Sequence, residues 1–440
     1  MMGDNFRKKV ELVACLENAK ENWDPEDTAS CGARGCFDEK SSRDIHKDEI
    51  ARPFGEYEVR KEKIFAETSG KGHGAVLDQS EFLFSIDNLT RASTLFLCAP
   101  QYASHLQQSL RRATAQRGFH LPKILEETSA EEIMNQQFGL YEKMQSSGIP
   151  AEDARFILPL YTKTAIQTKI DARELMHLHS MAMQKGVPEE VKDTVEQMVK
   201  QASEVAPRLM KNRGANYEVL AWMPSSQLFA EYNRTIENLI NQNFIGGIPP
   251  ERVTLLYHAG IDMTDNSVYR AVMERDEAEL ANMKHYHFSF LALMSIASFH
   301  QATRQRTWDQ SIQTIRDALK RGYCVIPPSI QGTKFEEAYK ELNERTLKIA
   351  NSFNNNPEYL GIIPHSLKVY DLIHINGWNA VHSIGKRTCT EAQWEIRSVA
   401  RDMASHIKRV SPEIGKYSVP QGKIYGKCPE KKPCGLCYKS

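Results

Sequence analysis

The chain has 440 residues, 56 of them Lys or Arg and 56 Asp or Glu, so its formal net charge is zero. That balance excludes a global basic footprint for nucleic acid and points instead to small anions held by local clusters. The length exceeds one ordinary domain and predicts two or three, and a hydrophobic content of 41% is enough to fill their cores.

In chain order, Val10–Ala14 reads as a short strand, and a polar, turn-rich stretch containing Cys31 and Cys36 runs to about Lys71. Alternating apolar residues make Glu81–Asp87 a strand. Leu95–Arg112 is expected to be helical, and Ser129-Ala-Glu-Glu132 has the form of a capping box opening a helix that stops before Gly148-Ile-Pro150. Ile157-Leu-Pro-Leu160 is an apolar turn into a longer helix carrying Asp171-Ala-Arg173 and His177. Glu189–Val205 is a further amphipathic helix. His177 and His179, two apart, point to different faces of a helix and are not a metal pair.

The second half repeats the first. Phe82-Leu-Phe84 returns as Phe288-Ser-Phe290, Arg111 as Arg316, Ile157-Leu-Pro159 as Ile362-Ile-Pro364 and Asp171 as Asn376, all at separations of 205 or 206 residues. Thr333-Lys-Phe-Glu336 supplies a second capping box. One offset held over so long a stretch implies a tandem duplication of whole domains. The expected boundaries are a first domain over 1–211, a partly helical linker over 212–250, a second domain over 251–426 and a cysteine-containing tail over 427–440.

The most charged motif follows the apolar run Phe288–Phe299. In His300-Gln-Ala-Thr-Arg304-Gln-Arg306, a helix would put Gln301 and Arg304 on one face, and two guanidinium forks suit a planar or phosphate-bearing ligand. The plain alternative is a solvated helix face. The apolar run is too short to span a bilayer and the N-terminal residues show no long apolar stretch, so a cytoplasmic protein without a membrane partner is expected. Nine cysteines, an odd number, fit reduced thiols. In the tail, Cys434-Gly-Leu-Cys437 has metal-ligand spacing, with Cys428 or the Cys31/Cys36 pair available to complete a zinc or iron–sulfur set; a solvated tail is the other reading.

These motifs resemble the flavin-dependent thymidylate synthases, whose pattern is a His before a Phe-x-Phe strand, then Gln-x-x-Arg-His-Arg, Ser-x-Arg, Leu-Pro, Asn-Ala-Arg, a later Arg, and Ala-Gln-Trp-Glu-Ile. The second half is similar through His285, Phe288-Ser-Phe290, Gln301-x-x-Arg304-Gln305-Arg306, Thr314-Ile-Arg316, Ile363-Pro364, Asn376-Gly-Trp378, Arg387 and Ala392-Gln-Trp-Glu-Ile396. The first half is similar through Gly72-His73, Phe82-Leu-Phe84, Ser109-Leu-Arg111, Ala154-Arg155, Leu158-Pro-Leu160 and Asp171-Ala-Arg173. It departs at Ala99-Pro100-Gln101, where the arginine pair is missing, and the second half departs at Gln305, Thr314 and Trp378.

The resemblance implies an α+β fold of two tandem domains, each a twisted sheet packed with helices, and a homo-oligomer. It implies FAD, with NADPH and methylene-tetrahydrofolate as co-substrates, and reductive methylation of dUMP to dTMP. Because the cofactor carries the hard chemistry, no nucleophile or triad is expected. By the resemblance, His285, Arg304, Arg306, Asn376 and Gln393 face the cofactor, while Ser109, Arg111, Arg155, Arg173, Gln301, Arg304, Arg316 and Arg387 face the nucleotide. Arg387 and Gln301 would polarise the uracil. The motif losses in the two halves are complementary, which implies one composite site and one decayed site. A non-catalytic or altered-substrate paralogue that binds flavin or a pyrimidine nucleotide is the alternative. So are a plainly satisfied His285, a surface Arg387 and a core Trp394.

Overall fold

The computed structural model describes residues 7–18, 20, 23–211, 227–244, 251–353 and 355–436. The chain forms two compact units, each α+β with one four-stranded antiparallel sheet. The first comprises 1–135, 159–226 and 355–362; the second comprises 136–158, 227–354 and 363–440. A boundary drawn through the linker misses this, because each unit takes in a short stretch from the other half of the sequence.

In the first unit β1 (Lys9–Cys15) leads into three helices, α1 (Pro25–Gly35), α2 (Ser42–Ile50) and α3 (Phe54–Glu67). Then come β2 (Glu81–Thr90), α4 (Arg91–Leu97), β3 (Ser104–Gln107), β4 (Lys163–Asp171), α7 (Ala172–Ala182), α8 (Glu189–Val205) and α9 (Pro207–Lys211); between β3 and β4 in the chain lie α5 (Ser129–Ser146), which belongs to the second unit from residue 136 on, and the one-turn α6 (Ala151–Ala154), which belongs to it wholly. The strand order is β1-β2-β4-β3. On β2 the alternation that marks it in sequence buries Phe82, Phe84 and Ile86, against which α8 packs. The turn-rich N-terminal stretch is helical instead, held by ion pairs whose acids are buried. Glu49 meets Arg34, Arg52 and Arg60, and Glu26 meets Arg208.

Two expected helices are corrected. The helix predicted over Leu95–Arg112 stops at Leu97, since Pro100 has no amide to continue it, and Ser104–Gln107 pairs with β4 as an edge strand. The helix predicted to follow Leu160 is first a strand, Lys163–Asp171, whose alternating burial matches a half-covered sheet; only Asp171 onward turns helical.

The second unit repeats the layout. The connecting segment supplies α10 (Arg234–Gln242), followed by β5 (Val253–Gly260), α11 (Asp265–Tyr269), α12 (Glu277–Met283), β6 (Tyr286–Ser295) and α13 (Ile296–Ala302). After these come β7 (Asp309–Ile312), α14 (Ile315–Arg321), α15 (Glu336–Ser352), β8 (Lys368–Asn376), α16 (Gly377–Arg387) and α17 (Trp394–Val410). The order β5-β6-β8-β7 reproduces the first sheet. The two sheets differ in what lies against one face. In the second unit Ile236 and Ile240 of α10 pack on Leu291 and Tyr370, with Leu293 and Leu372 beside them. At the matching positions the first sheet carries Ser85, Ala165, Asp87 and Gln167, which need no apolar cover.

The repeat extends to single hydrogen bonds. The expected capping boxes at Ser129/Glu132 and Thr333/Glu336 are both displaced: Thr128 Oγ1 accepts from Ala130, and Glu131 accepts from the amide of Glu127 at 2.7 Å. In the second copy Thr333 Oγ1 accepts from Phe335 and Glu336 accepts from the amide of Gly332 at 2.6 Å. Both turns need a left-handed residue, with Glu127 at φ 55 and Gly332 at φ 71. Only the second copy has a glycine there. Glu127→Gly keeps the backbone donor and removes the strain, so it is expected to stabilise the protein by about 0.5–1 kcal/mol in thermal or denaturant unfolding.

Asp171 and Asn376 likewise cap α7 and α16, accepting from Glu174 at 2.8 Å and Asn379 at 2.9 Å. Burial raises the Asp171 carboxyl to about 6. A carboxyl raised on folding adds stability only below its unfolded value, and that stability is lost as pH climbs through about 6. Asp171→Asn, the residue of the second copy, keeps the cap without the charge. It is expected to stabilise the protein by about 1–2 kcal/mol at pH 8, with the gain vanishing near pH 4, read from melting curves across pH.

Among the described residues no helix is long and apolar enough to cross a membrane, no disulfide forms and no group of three or more metal-ligating side chains occurs. Cys437 lies outside the described residues.

Candidate functional site

The arginine motif is not helical at its centre. α13 ends at Ala302, and Arg304 to Trp308 form the turn into β7, so Gln301 and Arg304 do not share a helix face as expected. The turn exposes Arg304 and Arg306 and buries Trp308.

The loop is pinned to one face of α16 at three residues spaced four apart. Thr307 Oγ1 donates to Asn379 Oδ1 at 2.7 Å, and Asn379 Nδ2 returns a bond to the Thr307 carbonyl at 3.1 Å. Trp308 Nε1 donates to Ser383 Oγ at 2.7 Å. One turn on, Arg387 Nη2 reaches the Gln301 carbonyl at 3.4 Å. With its amide oxygen facing the guanidinium, Gln305 accepts from Arg387 Nε at 2.8 Å and Nη2 at 2.6 Å. Of these three only Arg387 stood out in the sequence; the stripe and its partners appear only in the fold. In the first unit the same α7 positions are Glu174, Leu178 and Ala182, and Pro100, Tyr102 and Ala103 stand opposite in sequence, so the ladder has no counterpart there.

The segment carrying Arg155 belongs to the second unit, not the first as its place in the sequence suggests. Trp394 stacks on Phe156 with centroids 5.8 Å apart and donates its indole N–H to Asp153 at 2.8 Å; Ser329 Oγ donates to the other Asp153 oxygen at 2.6 Å. Arg155 is buried, its Nε donating to the Glu152 carbonyl at 3.1 Å. Trp394 thus holds a chain segment and is not an open stacking platform.

Several expected ligands serve the fold. Arg316 is buried and donates to the carbonyls of Phe229 at 2.7 Å and Ala230 at 3.2 Å, an environment that pulls its pKa down through desolvation. Asn376 and Gln393 spend their side-chain oxygens capping α16 and α17. Next to Gln393, the buried Glu395 accepts from the Ser295 amide at 2.9 Å and from the Ser295 hydroxyl, tying α17 to the start of α13. Burial raises its carboxyl pKa. Thr90 and Glu190 make the same link in the first unit.

His285 is exposed at the turn before β6. Behind it lies a cluster the sequence did not announce. His287 stacks on His374 with ring nitrogens 3.2 Å apart, and Ser289 Oγ lies 2.8 Å from His374 Nδ1. Desolvation and the neighbouring imidazoles lower the His287 pKa. On α16, Trp378 stacks on His382 at 5.3 Å.

The first unit holds Ser109, Arg111 and Arg173. Ser109 and Arg111 share the turn after β3, where the Arg111 amide donates to Ser109 Oγ at 3.2 Å. Arg173 pairs with Asp78 at 3.2 Å and lies over Gly74, where an added Cβ would meet Nε at 2.7 Å. A groove of about 480 Å³ lined by His179, Glu196 and Lys200 contains none of the expected site residues.

The second unit therefore gathers Gln301, Gln305 and Arg387 with the Arg304/Arg306 turn on one side of α16, an arrangement fit to bind a small anion. Comparison with known proteins agrees with the fold. The thymidylate synthase complementing protein family model matches residues 19–208 and 251–413. The chain is 30% identical over 202 residues to the flavin-dependent thymidylate synthase of Geobacter sulfurreducens, covering 43% of this chain and 83% of that protein. It is 29% identical over 151 residues to the enzyme of that name from Saccharolobus solfataricus and 28% over 150 to that of Pyrococcus furiosus, spanning 58% and 62% of their lengths, less than two thirds of each. A solved structure of the UMP/dUMP methylase PolB from Streptomyces cacaoi bound with 5-Br dUMP aligns at TM-score 0.40 and 17% identity over 49% of this chain and 98% of that one. With both repeats matched over most of their length, the chain belongs to the thymidylate synthase complementing protein family.

Proposed function

We propose that the protein is a flavin-dependent thymidylate synthase-like enzyme that methylates dUMP to dTMP with FAD, NADPH and methylene-tetrahydrofolate, acting in the cytoplasm as a homo-oligomer. The observation that carries this reading is the fixed Arg387 guanidinium beside the Arg304/Arg306 turn. Arg387, beside a turn that carries two more arginines, suits the phosphate and polar ring edges of a nucleotide. The same cations, with the exposed His285, fit a planar group bearing phosphates, which is the chemistry of FAD. Bound flavin would supply the reducing equivalents. The residues of the chain do the rest: Arg304 and Arg306 bind anionic oxygens, and Arg387 with Gln301 orients the pyrimidine and stabilises charge on its ring oxygens. Ser109, Arg111 and Arg155 are assigned to the nucleotide by family resemblance, and alanine variants test each of them in the same assay.

The test is the visible absorption spectrum of the purified protein with FAD, before and after dUMP. A retained flavin band that shifts on adding dUMP supports both ligands. Absence of flavin binding under all conditions overturns the enzyme reading and leaves the second one, a nucleotide-binding paralogue without turnover. The departures at Gln305 and Trp378 and the missing arginine pair at Ala99-Pro100-Gln101 favour that second reading.

A further inference from the structure

Gln305 stands between Arg304 and Arg306, where the flavin-dependent thymidylate synthase pattern has a histidine. Its backbone is held independently of its side chain: its amide donates to the Ala302 carbonyl at 2.9 Å, and its carbonyl accepts from Trp308 at 2.9 Å. The Thr307–Asn379 and Trp308–Ser383 bonds anchor the same turn. The side chain is thus carried to the end of α16, where its oxygen takes two N–H bonds from one edge of Arg387 at 2.8 and 2.6 Å. The reversed amide would set donors against donors, so the guanidinium dictates the orientation.

We propose that Gln305 is a positioning residue that fixes the Arg387 guanidinium for an anionic pyrimidine nucleotide without reducing its charge. The proposal rests on the functional reading above. The choice of side chain carries it. A carboxylate would give the same geometry but pair with Arg387 and cancel the charge that a nucleotide needs. An imidazole offers one in-plane acceptor instead of two lone pairs on one oxygen, and it becomes a cation as pH falls. Arg304 and Arg306 flank position 305 in the turn and its side chain meets Arg387, so a protonated imidazole there would stand against a cation. The amide accepts two bonds and stays neutral, so it orients Arg387 without itself offsetting the guanidinium charge. In the first unit the corresponding residues are Pro100 and Ala182, which cannot form the pair.

The experiment is calorimetric titration of the full-length protein with dUMP from pH 5.5 to 8.5. It compares wild type, Gln305→Ala, Gln305→Glu and Gln305→His, each alone and combined with Arg387→Ala. Gln305→Ala is expected to weaken binding about 3–10-fold at all pH values, and Gln305→Glu about 10–30-fold, because the new ion pair uses up the cation. Gln305→His is expected to bind nearly as wild type at pH 8.5 and progressively more weakly toward pH 5.5. All three losses should disappear in the Arg387→Ala background, a pattern that a purely structural role would not give. Wild-type affinity in Gln305→Glu, or losses that persist unchanged without Arg387, overturns the proposal. Should wild type bind no dUMP, the functional reading fails and takes the nucleotide role of Gln305 with it. A thermal-unfolding cycle over Gln305→Ala and Arg387→Ala then decides the clamp alone, and additive effects there refute it as well.

Discussion

Arg387→Ala is expected to weaken dUMP binding about 10–100-fold, the loss of charge-assisted hydrogen bonds worth about 1.5–3 kcal/mol. The fold should survive, because Arg387 is half-buried at the last turn of α16 and its bonds run to a loop that Asn379 and Ser383 also hold. A melting temperature close to wild type alongside weakened binding separates ligand contact from damage. Arg387→Lys is expected to recover only a small part. An ammonium on a flexible stem cannot present the Nε and Nη2 edge that Gln305 accepts, so the charge returns without its direction. Isothermal titration of both variants checks this. Undiminished affinity in Arg387→Ala would place the nucleotide elsewhere on the protein.

The second large effect concerns a residue that never touches ligand. Glu395→Ala is expected to destabilise the protein by about 2–4 kcal/mol, since it strands the buried Ser295 amide and hydroxyl and opens a cavity between α17 and α13. Gln301 lies on α13, so dUMP affinity should fall with stability. Glu395→Gln keeps an acceptor for the Ser295 amide and removes a buried charge. Burial raises the Glu395 pKa, so its contribution is greatest when protonated and diminishes as pH rises through that raised value. The glutamine variant should therefore match wild type in acid and equal or exceed it at pH 8. Urea unfolding at both pH values distinguishes the two variants, and a wild-type midpoint for Glu395→Ala would refute the capping role.

That link also shows how a motif can be legible while its physical job is not. Ala392-Gln-Trp-Glu-Ile396 stands out in sequence as a family feature. In the fold Gln393 caps α17, Trp394 grips Asp153 and Phe156, and Glu395 anchors α13. The Gln393 cap is local, but the Trp394 and Glu395 contacts reach across long stretches of sequence, and nothing local foretells them. The repeat was readable for the opposite reason. Each copy needs the same apolar alternation and the same helix cap at fixed spacing, so Phe82 and Phe288, and Asp171 and Asn376, fall into step.

Local errors had local causes. Leu95–Arg112 has helical composition throughout, but Pro100 ends the helix and pairing with β4 recruits Ser104–Gln107 as a strand. Glu131 and Glu336, each one residue or one role away from the expected capping box, bond the amide of the left-handed residue four positions earlier. Among the candidate ligands, Arg316 and Arg304 look alike in sequence. Burial against the carbonyls of Phe229 and Ala230 makes one a structural cation, while the turn leaves the other exposed.

By itself the sequence determined that strand and helix signals repeat in order and which half retains the arginine motif, because periodicity, spacing and residue type are properties of the chain; the α+β fold followed from the family resemblance those motifs carry. Only the tertiary structure decided that Gln305 meets Arg387, that Arg155 belongs to the second unit and that α10 covers the second sheet. Those outcomes depend on which surfaces meet. A guanidinium takes its orientation, and an apolar sheet face its cover, from residues far away along the chain.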